Sequence, residues 1–413
     1  LGRARRQHRD GVPPREPTFT IGIEEEYHLV DLGSRNLVSA PPKALIAEIE
    51  ATLGSHFSSE FLRSQIEVGT PVCRTSGETR AELRRLRRAV VEATGRHGLA
   101  PIAAATHPFA RSLDQQTTDK DRYRALARDL QGVGRRLVIS GMHVHVGIED
   151  DELRIDLMNQ MRYFLPHLLM LATSSPFFEG EDTGLKSYRL AVYNELPRTG
   201  LPGRFADWGE YRQTIDVLAR AGVIEDASKV WWDIRPSAHL PTLEMRITDV
   251  CTRIEDAVCV AALYRCLCRM LYRLRRGNQS WRTYPVFLLA ENRWRAQRYG
   301  VDGSLFDFGK GELVPFRALI EEIIALVRED AEPAPTASSP SSAGIARPAP
   351  PSRRRSPPSS TTSSPRRPRR SEGPCRQALP RASGPPRPAL TPAPAPHRVR
   401  PDQGDRHVDC NRD

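Results

Sequence analysis

The sequence lacks a Cys-x-x-Cys pair, although it has seven cysteines. Four of them, Cys251, Cys259, Cys266 and Cys268, fall in or beside one helical pattern, where cysteine acts as a small core side chain in a reducing compartment. A disulfide framework is therefore not expected. No apolar run approaches the roughly 18 residues of a spanning helix. Leu1–Pro17 is rich in Arg without the apolar stretch of a secretory signal. The expectation is a soluble, cytoplasmic protein that has no membrane partner. Also missing are a Gly-x-x-x-x-Gly-Lys-Ser/Thr loop, a convincing dinucleotide fingerprint, and a nucleophile motif around Thr199, Ser187 or any cysteine.

The chain does have a formal net charge of +11, but unevenly placed. Residues 1–17 carry +3 and residues 333–413 carry +10, which leaves −2 for residues 18–332. The part able to fold is nearly neutral, so nucleic acid is not its expected partner. Beyond Ala331 the chain turns to Pro, Ser, Ala and Arg, with 19 of the 35 prolines and almost no large apolar residues. Such a segment cannot bury enough surface to offset chain entropy. It reads either as a basic arm for anionic polymers or as an unselected tail from a shifted reading frame. Its 15 Arg against no Lys, without interleaved aromatics, favour the tail. The expected organisation is a disordered basic extension over 1–17, a catalytic domain over 18–331 and a disordered Pro/Arg/Ser-rich tail over 332–413.

Within the body, helical patterns alternate with short strand patterns. Ser76–Gly95 has a Ser cap, acids in the first turn, apolar Leu83, Leu86, Val90 and Val91, and a closing Gly. Leu153–Leu171 reads as one helix despite Pro166. Arg253–Arg276 starts with Glu255 and Asp256 and closes on Arg273, Arg275 and Arg276, the arrangement that suits a helix dipole. Phe316–Val327 is amphipathic. Trp231 and Trp232 read as core, with one ring able to stack on a base.

Four further segments alternate at period two, as strands do. In Thr18–Val30, Phe19, Ile21 and Ile23 oppose Glu24, Glu26 and His28. In Gln65–Pro71, Ile66 and Val68 oppose Gln65 and Glu67. In Gly141–Ile148, Met142, Val144 and Val146 oppose His143 and His145. In Thr242–Asp249, Leu243, Met245 and Ile247 oppose Glu244 and Arg246. If the four share a sheet, one face is core and the other gathers Glu24, Glu26, Glu67, His143, His145, Glu244 and Arg246. Ordinary solvated faces mix Thr, Lys, Ser and Arg; four strands restricted to Glu and His do not fit that description. Carboxylates so gathered repel one another unless divalent cations sit among them. Oxygen ligands with an imidazole fit Mg²⁺, or Mn²⁺, better than Zn²⁺. Arg246, Arg235, Lys186, Arg189 and Arg198 supply cations suited to phosphate oxygens. Metals together with Arg clamps point to phosphoryl transfer from a nucleotide.

The ordered set Gly22-Ile-Glu-Glu-Glu-Tyr, Gln65-Ile-Glu-Val-Gly-Thr-Pro, Ala105-Thr-His-Pro-Phe, Gly141-Met-His-Val-His-Val-Gly, Ser187-Tyr-Arg, Leu196-Pro-Arg-Thr-Gly and Pro241-Thr-Leu-Glu-Met-Arg resembles the bacterial carboxylate–amine ligases of the glutamate–cysteine ligase type 2 family, over roughly Thr18–Ala331. The resemblance implies an α+β fold related to glutamine synthetase: a curved, mainly antiparallel sheet forming a cup, with helices packed on its outer face. It implies that Glu24, Glu26, Glu67, His143 and Glu244 hold Mg²⁺. It further implies that Arg246 meets the transferring phosphate, that His145 lies near the nucleotide phosphates and that Arg189 contacts an anion; Arg235 and Lys186, from the cations above, are expected to join His145 and Arg246 in binding the nucleotide. The implied reaction uses ATP to convert a carboxylate into an acyl phosphate, which an amine attacks to give an amide. The family's default substrates are glutamate and cysteine. Other amino acid and amine pairs remain open, as does a binding protein without catalysis, and a homo-oligomer is a reasonable prior. Relatives continue past the Phe316–Val327 helix with ordered sequence, where this chain turns to its Pro/Arg tail.

Overall fold

The structure is a computed structural model and describes residues 16–331. The expectations for the basic extension before residue 16 and for the tail from residue 332 lie outside the described residues. The centre is a seven-stranded antiparallel sheet built from β1 (Ile21–Asp31), β2 (Phe57–Ser59), β3 (Gln65–Gly69), β4 (Leu99–Ile102), β5 (Met142–Gly147), β6 (Ile234–Pro236) and β7 (Thr242–Met245). Its order is β6-β7-β5-β1-β3-β2, with β4 continuing the β5 edge along the second half of β1. The four strands expected from alternation are therefore neighbours. The short strands β2, β4 and β6 were not legible in that way, being only three or four residues long.

One face of the sheet is apolar. Ile21, Ile23, Ile66, Val68, Val144, Val146, Leu243 and Met245 are all buried there. Helices Ser76–Gly95, Asp151–Met161 and Ile254–Arg276 cover that face. Each such side chain contributes on the order of 1.5–3 kcal/mol by leaving water. Glu25 also points into this core, and it is paired rather than stray. Arg87, from helix Ser76–Gly95, donates to its two oxygens at 2.6 and 2.9 Å, and the Tyr27 hydroxyl donates as well. Arg87 also reaches the carbonyls of Cys251 and Thr252, both at 2.7 Å, so one guanidinium ties a helix, β1 and the start of the long helix together.

Several expectations change in detail. Helix Ser76–Gly95 is capped one residue earlier than read, by Thr75, whose hydroxyl accepts from Glu78 N, while the Glu78 carboxylate accepts from the N–H of Arg74, just before the cap. Leu153–Leu171 is not one helix but two, Asp151–Met161 and Leu165–Ala172. Pro166 lies in the first turn of the second, where a missing N–H costs nothing. Helices Lys43–Leu53, Asp121–Leu130, Trp208–Arg220 and Val286–Tyr299 were not anticipated. The last is tied to the sheet by Arg293, which donates to Asp233 at 2.6 and 2.9 Å just before β6. None of the five described cysteines forms a disulfide, and Cys73, Cys251, Cys266 and Cys268 are buried, while Cys259 is exposed. Among the described residues no helix is long and apolar enough to cross a membrane.

Candidate active site

The opposite face of the sheet carries the chemistry, and strand register assembles it. In an antiparallel pair, residues directly opposite each other share a face. Across the sheet, Arg235 faces Glu244, Glu244 faces His145, and His145 faces Gly22. One step along, His143 faces Glu24 and Glu24 faces Gly69. One step further, Glu26 faces Glu67 and Glu67 faces Ser58. The two glycines lie within ordinary van der Waals reach of these side chains: a Cβ at residue 69 would stand 3.8 Å from Glu24 Cγ. Three rows of catalytic-type side chains thus stand side by side on strands that are far apart in sequence.

The contacts divide the cluster into a compensated and an uncompensated half. Arg235 holds Glu244 in a two-point contact at 2.8 and 3.2 Å, and Arg246 donates to the same carboxylate. His143 Nδ1 lies 3.1 Å from Glu24, and His145 Nε2 lies 3.4 Å from the other Glu24 oxygen. Burial raises the Glu24 carboxyl, but His143 and His145 outweigh it and hold the group well below the usual range. Burial likewise opposes an ionised Glu244, and Arg246 and Arg235 overcome it. Burial and Arg246 lower the His143 imidazole, whereas Glu24 and Glu244 raise buried His145 above its ordinary value. At the other end the acids outweigh the nearby Arg246. Burial, then Glu60, Glu24 and Glu26, push Glu67 well above the carboxylate range. Burial and Glu26 push Glu60 up to about 7.

Three ligand groups have donor atoms within 4.8 Å of one another: Glu24 with Glu67 and His143, Glu24 with His145 and Glu244, and Glu26 with Glu60 and Glu67. Among the described residues nothing makes a directed hydrogen bond to the buried Nε2 of either His143 or His145. Gathered carboxylates beside imidazole nitrogens that make only long contacts are what divalent cations would satisfy, so this donor set fits Mg²⁺ or Mn²⁺. Two cavities, of about 330 and 240 Å³, open onto the cluster and share Glu24, Ser58 and Glu67 in their walls. The larger is walled by Arg189, Arg235, Arg246, Tyr123 and Trp231, with an apolar side of Leu126, Leu130, Leu137 and Ile139. The smaller runs past Gly22, Gly69, Thr70, His56, His145 and Thr242.

Of the residues singled out in the sequence, Glu24, Glu26, Glu67, His143, His145, Glu244 and Arg246 come together, and Arg189 and Arg235 join them along the larger cavity. β7 ends at Met245, yet Arg246 stays on the polar side through its contact with Glu244. Lys186 is not brought in: its side chain is half exposed, 3.9 Å from Asp302, and lines neither cavity. Arg198 is spent on the Lys229 carbonyl and the Trp231 ring. The Trp pair splits: Trp232 packs on Phe205 and Tyr211, while Trp231 lines the cavity. Glu60 was missed. It alternates with Ser58 at the end of β2, but that strand is too short for its period to be read.

A family profile described as glutamate-cysteine ligase family 2 (GCS2) matches residues 20–336. The chain belongs to the glutamate–cysteine ligase family 2. A relative from Rhodospirillum rubrum, named "Putative glutamate--cysteine ligase 2", is 62% identical over 321 residues, covering 77% of this chain and 82% of the relative. Another with the same name, from Jannaschia sp., is 57% identical over 314 residues, covering 76% and 83%. Among solved structures, a glutamate–cysteine ligase from Francisella tularensis in complex with AMP aligns with a TM-score of 0.56 at 11% identity, covering 75% of this chain and 78% of that one. A bifunctional glutathione synthetase from Pasteurella multocida aligns with the same TM-score at 14% identity, covering 76% and 46%. These two show a shared fold. By family this is a ligase-type chain, and its sheet is antiparallel with helices on its outer face, as the resemblance implied.

Proposed function

We propose that this chain is an ATP- and Mg²⁺-dependent carboxylate–amine ligase, with glutamate and cysteine as its first candidate pair and γ-glutamylcysteine as the product. The observation that carries the reading is the convergence of five carboxylates, two imidazoles and the guanidinia of Arg189, Arg235 and Arg246 where two cavities meet. Glu24, Glu26, Glu60, Glu67, His143, His145 and Glu244 would hold the cations. Bound Mg²⁺ supplies charge neutralisation to the transferring phosphoryl group.

A carboxylate oxygen of the acid substrate attacks the γ-phosphorus, and the bond to ADP breaks, leaving an acyl phosphate. The amine nitrogen then attacks the acyl carbon, phosphate departs, and the nitrogen gives up a proton as the amide forms. Arg246, half-buried and tethered to Glu244, is preorganised to meet the charge on the transferring group without further ordering. Arg235 keeps Glu244 ionised and oriented. Arg189 offers a second guanidinium for phosphate or substrate carboxylate. Two cavities meeting at the acids allow nucleotide and amino acid to approach the same atoms from different sides. A second reading keeps this chemistry and changes the amine, because Leu126, Leu130, Leu137 and Ile139 give the larger cavity an apolar wall.

The test is phosphate release from ATP and Mg²⁺ with glutamate, with and without a panel of amines that includes cysteine. Amine-dependent release, reduced about 100-fold in Glu67→Gln, is expected. ATP binding without amine-dependent release would instead identify a binding protein.

A further inference from the structure

Gly141 stands at the entry to β5, bridged to Asp249. Its N–H donates to Glu26 Oε2 at 2.6 Å and its carbonyl accepts from Glu26 N at 3.1 Å. The Arg189 guanidinium lies against the space where its side chain would be. A Cβ on residue 141 would stand 2.8 Å from Arg189 Cζ, 3.0 Å from Nε, and closer still to one terminal nitrogen. Gly141 is not among the residues with a left-handed backbone. An L-side chain would therefore suit the main chain at this position; what it would not suit is the guanidinium.

Arg189 is held from behind. Asp249 accepts from the Ser187 and Ser175 hydroxyls at 2.8 and 2.7 Å, and the Ser175 hydroxyl accepts from Arg189 N at 3.1 Å. Arg189 is 2% exposed, and its guanidinium is poorly used. It makes two long contacts of 3.3 Å, to the carbonyls of Arg246 and Ile247, and rests 5.1 Å from the Tyr193 ring. Among the described residues its Nε has no hydrogen-bond partner, and neither has the Nε of Arg246 on the same cavity. Two guanidinia on one wall, that of buried Arg189 and that of half-buried Arg246, each with a donor to spare, form a cradle for an oxyanion.

We infer that Gly141 is a positioning residue, whose missing side chain lets the Arg189 guanidinium lie flat beside Arg246, where the pair binds one oxyanion of the reaction, a carboxylate or a phosphate. The inference rests on the ligase reading only for which reaction the anion belongs to. Because the guanidinium is the end of a long side chain, an Ala at residue 141 displaces it instead of breaking the sheet.

The experiment is calorimetric titration of the full chain with inorganic phosphate and, separately, with glutarate, for the parent, Gly141→Ala, Arg189→Ala and the double variant. Urea unfolding of each checks folding. Gly141→Ala is expected to weaken at least one probe by about tenfold or more, the loss of roughly one charge-assisted hydrogen bond. In the Arg189→Ala background the same change should matter less than about twofold, because its effect runs through Arg189. The probe that responds names the anion. Parental affinity in Gly141→Ala, equal losses in both backgrounds, or no binding of either probe by the parent would each overturn the inference. Phosphate release from ATP tests the ligase reading separately: a chain that shows the expected titrations but releases no phosphate loses that reading and keeps this one.

Discussion

Removing divalent cations should make this protein's stability fall as pH rises from about 5 to about 7, and restoring Mg²⁺ should reverse the fall. The cause is the acid-rich end of the cluster. Burial and the neighbouring Glu26 carboxylate raise Glu60 from an ordinary 4.5 to about 7 in the folded chain. A carboxyl with a raised folded value favours the native state when protonated. That contribution is complete below the unfolded value and is lost as pH climbs through the folded one. The interval from 4.5 to about 7 corresponds to about 3 kcal/mol at most, and Glu67, displaced in the same direction, adds to it. Saturating Mg²⁺ binds the ionised cluster and opposes the loss by mass action, by about 2.7 kcal/mol at one hundred times its dissociation constant. Urea unfolding at pH 5.5 and 7.5, with EDTA or with Mg²⁺, reads both effects, and Glu60→Gln should flatten the slope measured in EDTA. An EDTA slope unchanged in Glu60→Gln, or no Mg²⁺ stabilisation at pH 7.5, would refute the argument.

Further expectations concern the two sides of the sheet. Arg87→Leu leaves the fully buried Glu25 carboxylate without its counter-ion, with only the Tyr27 hydroxyl still donating, and should cost about 3–5 kcal/mol in urea unfolding, well beyond the cost of Glu25→Gln, which retains an acceptor for Arg87. Arg235→Ala should reduce phosphate release by ten- to a hundredfold with little loss of fold, since Glu244 loses its two-point contact. Lys186→Ala should leave phosphate release within about twofold of the parent, because its ammonium lies outside both cavities. Steady-state assays of the two variants side by side check the last pair.

Alternation along four segments was enough to assign Glu24, Glu26, Glu67, His143, His145 and Glu244 to the polar side of strands, because the period of two is a local property of extended chain. The ordered motifs carried the family, and with it the expectation of a sheet covered by helices. Helix Ser76–Gly95 was legible for the same local reason, down to its last residue; only its cap was read one position late.

What the tertiary structure decided is which of those side chains meet. Register joins Glu26 to Glu67 and Glu244 to His145 across long stretches of chain, and pairing between distant strands leaves no mark in either strand alone. Glu60 enters because β2 packs beside β3, although β2 is too short to show a period. Glu25 reads as a third acid of the motif, yet it faces the core, and only the approach of Arg87 from a helix makes that tolerable. Lys186 drops out because its loop turns it toward Asp302. Gly141 shows its purpose only when Arg189, 48 positions further along, is folded against it. Sequence determines which face a side chain takes on its own strand; the distances that decide charge, metal affinity and reach arise only when the strands pair.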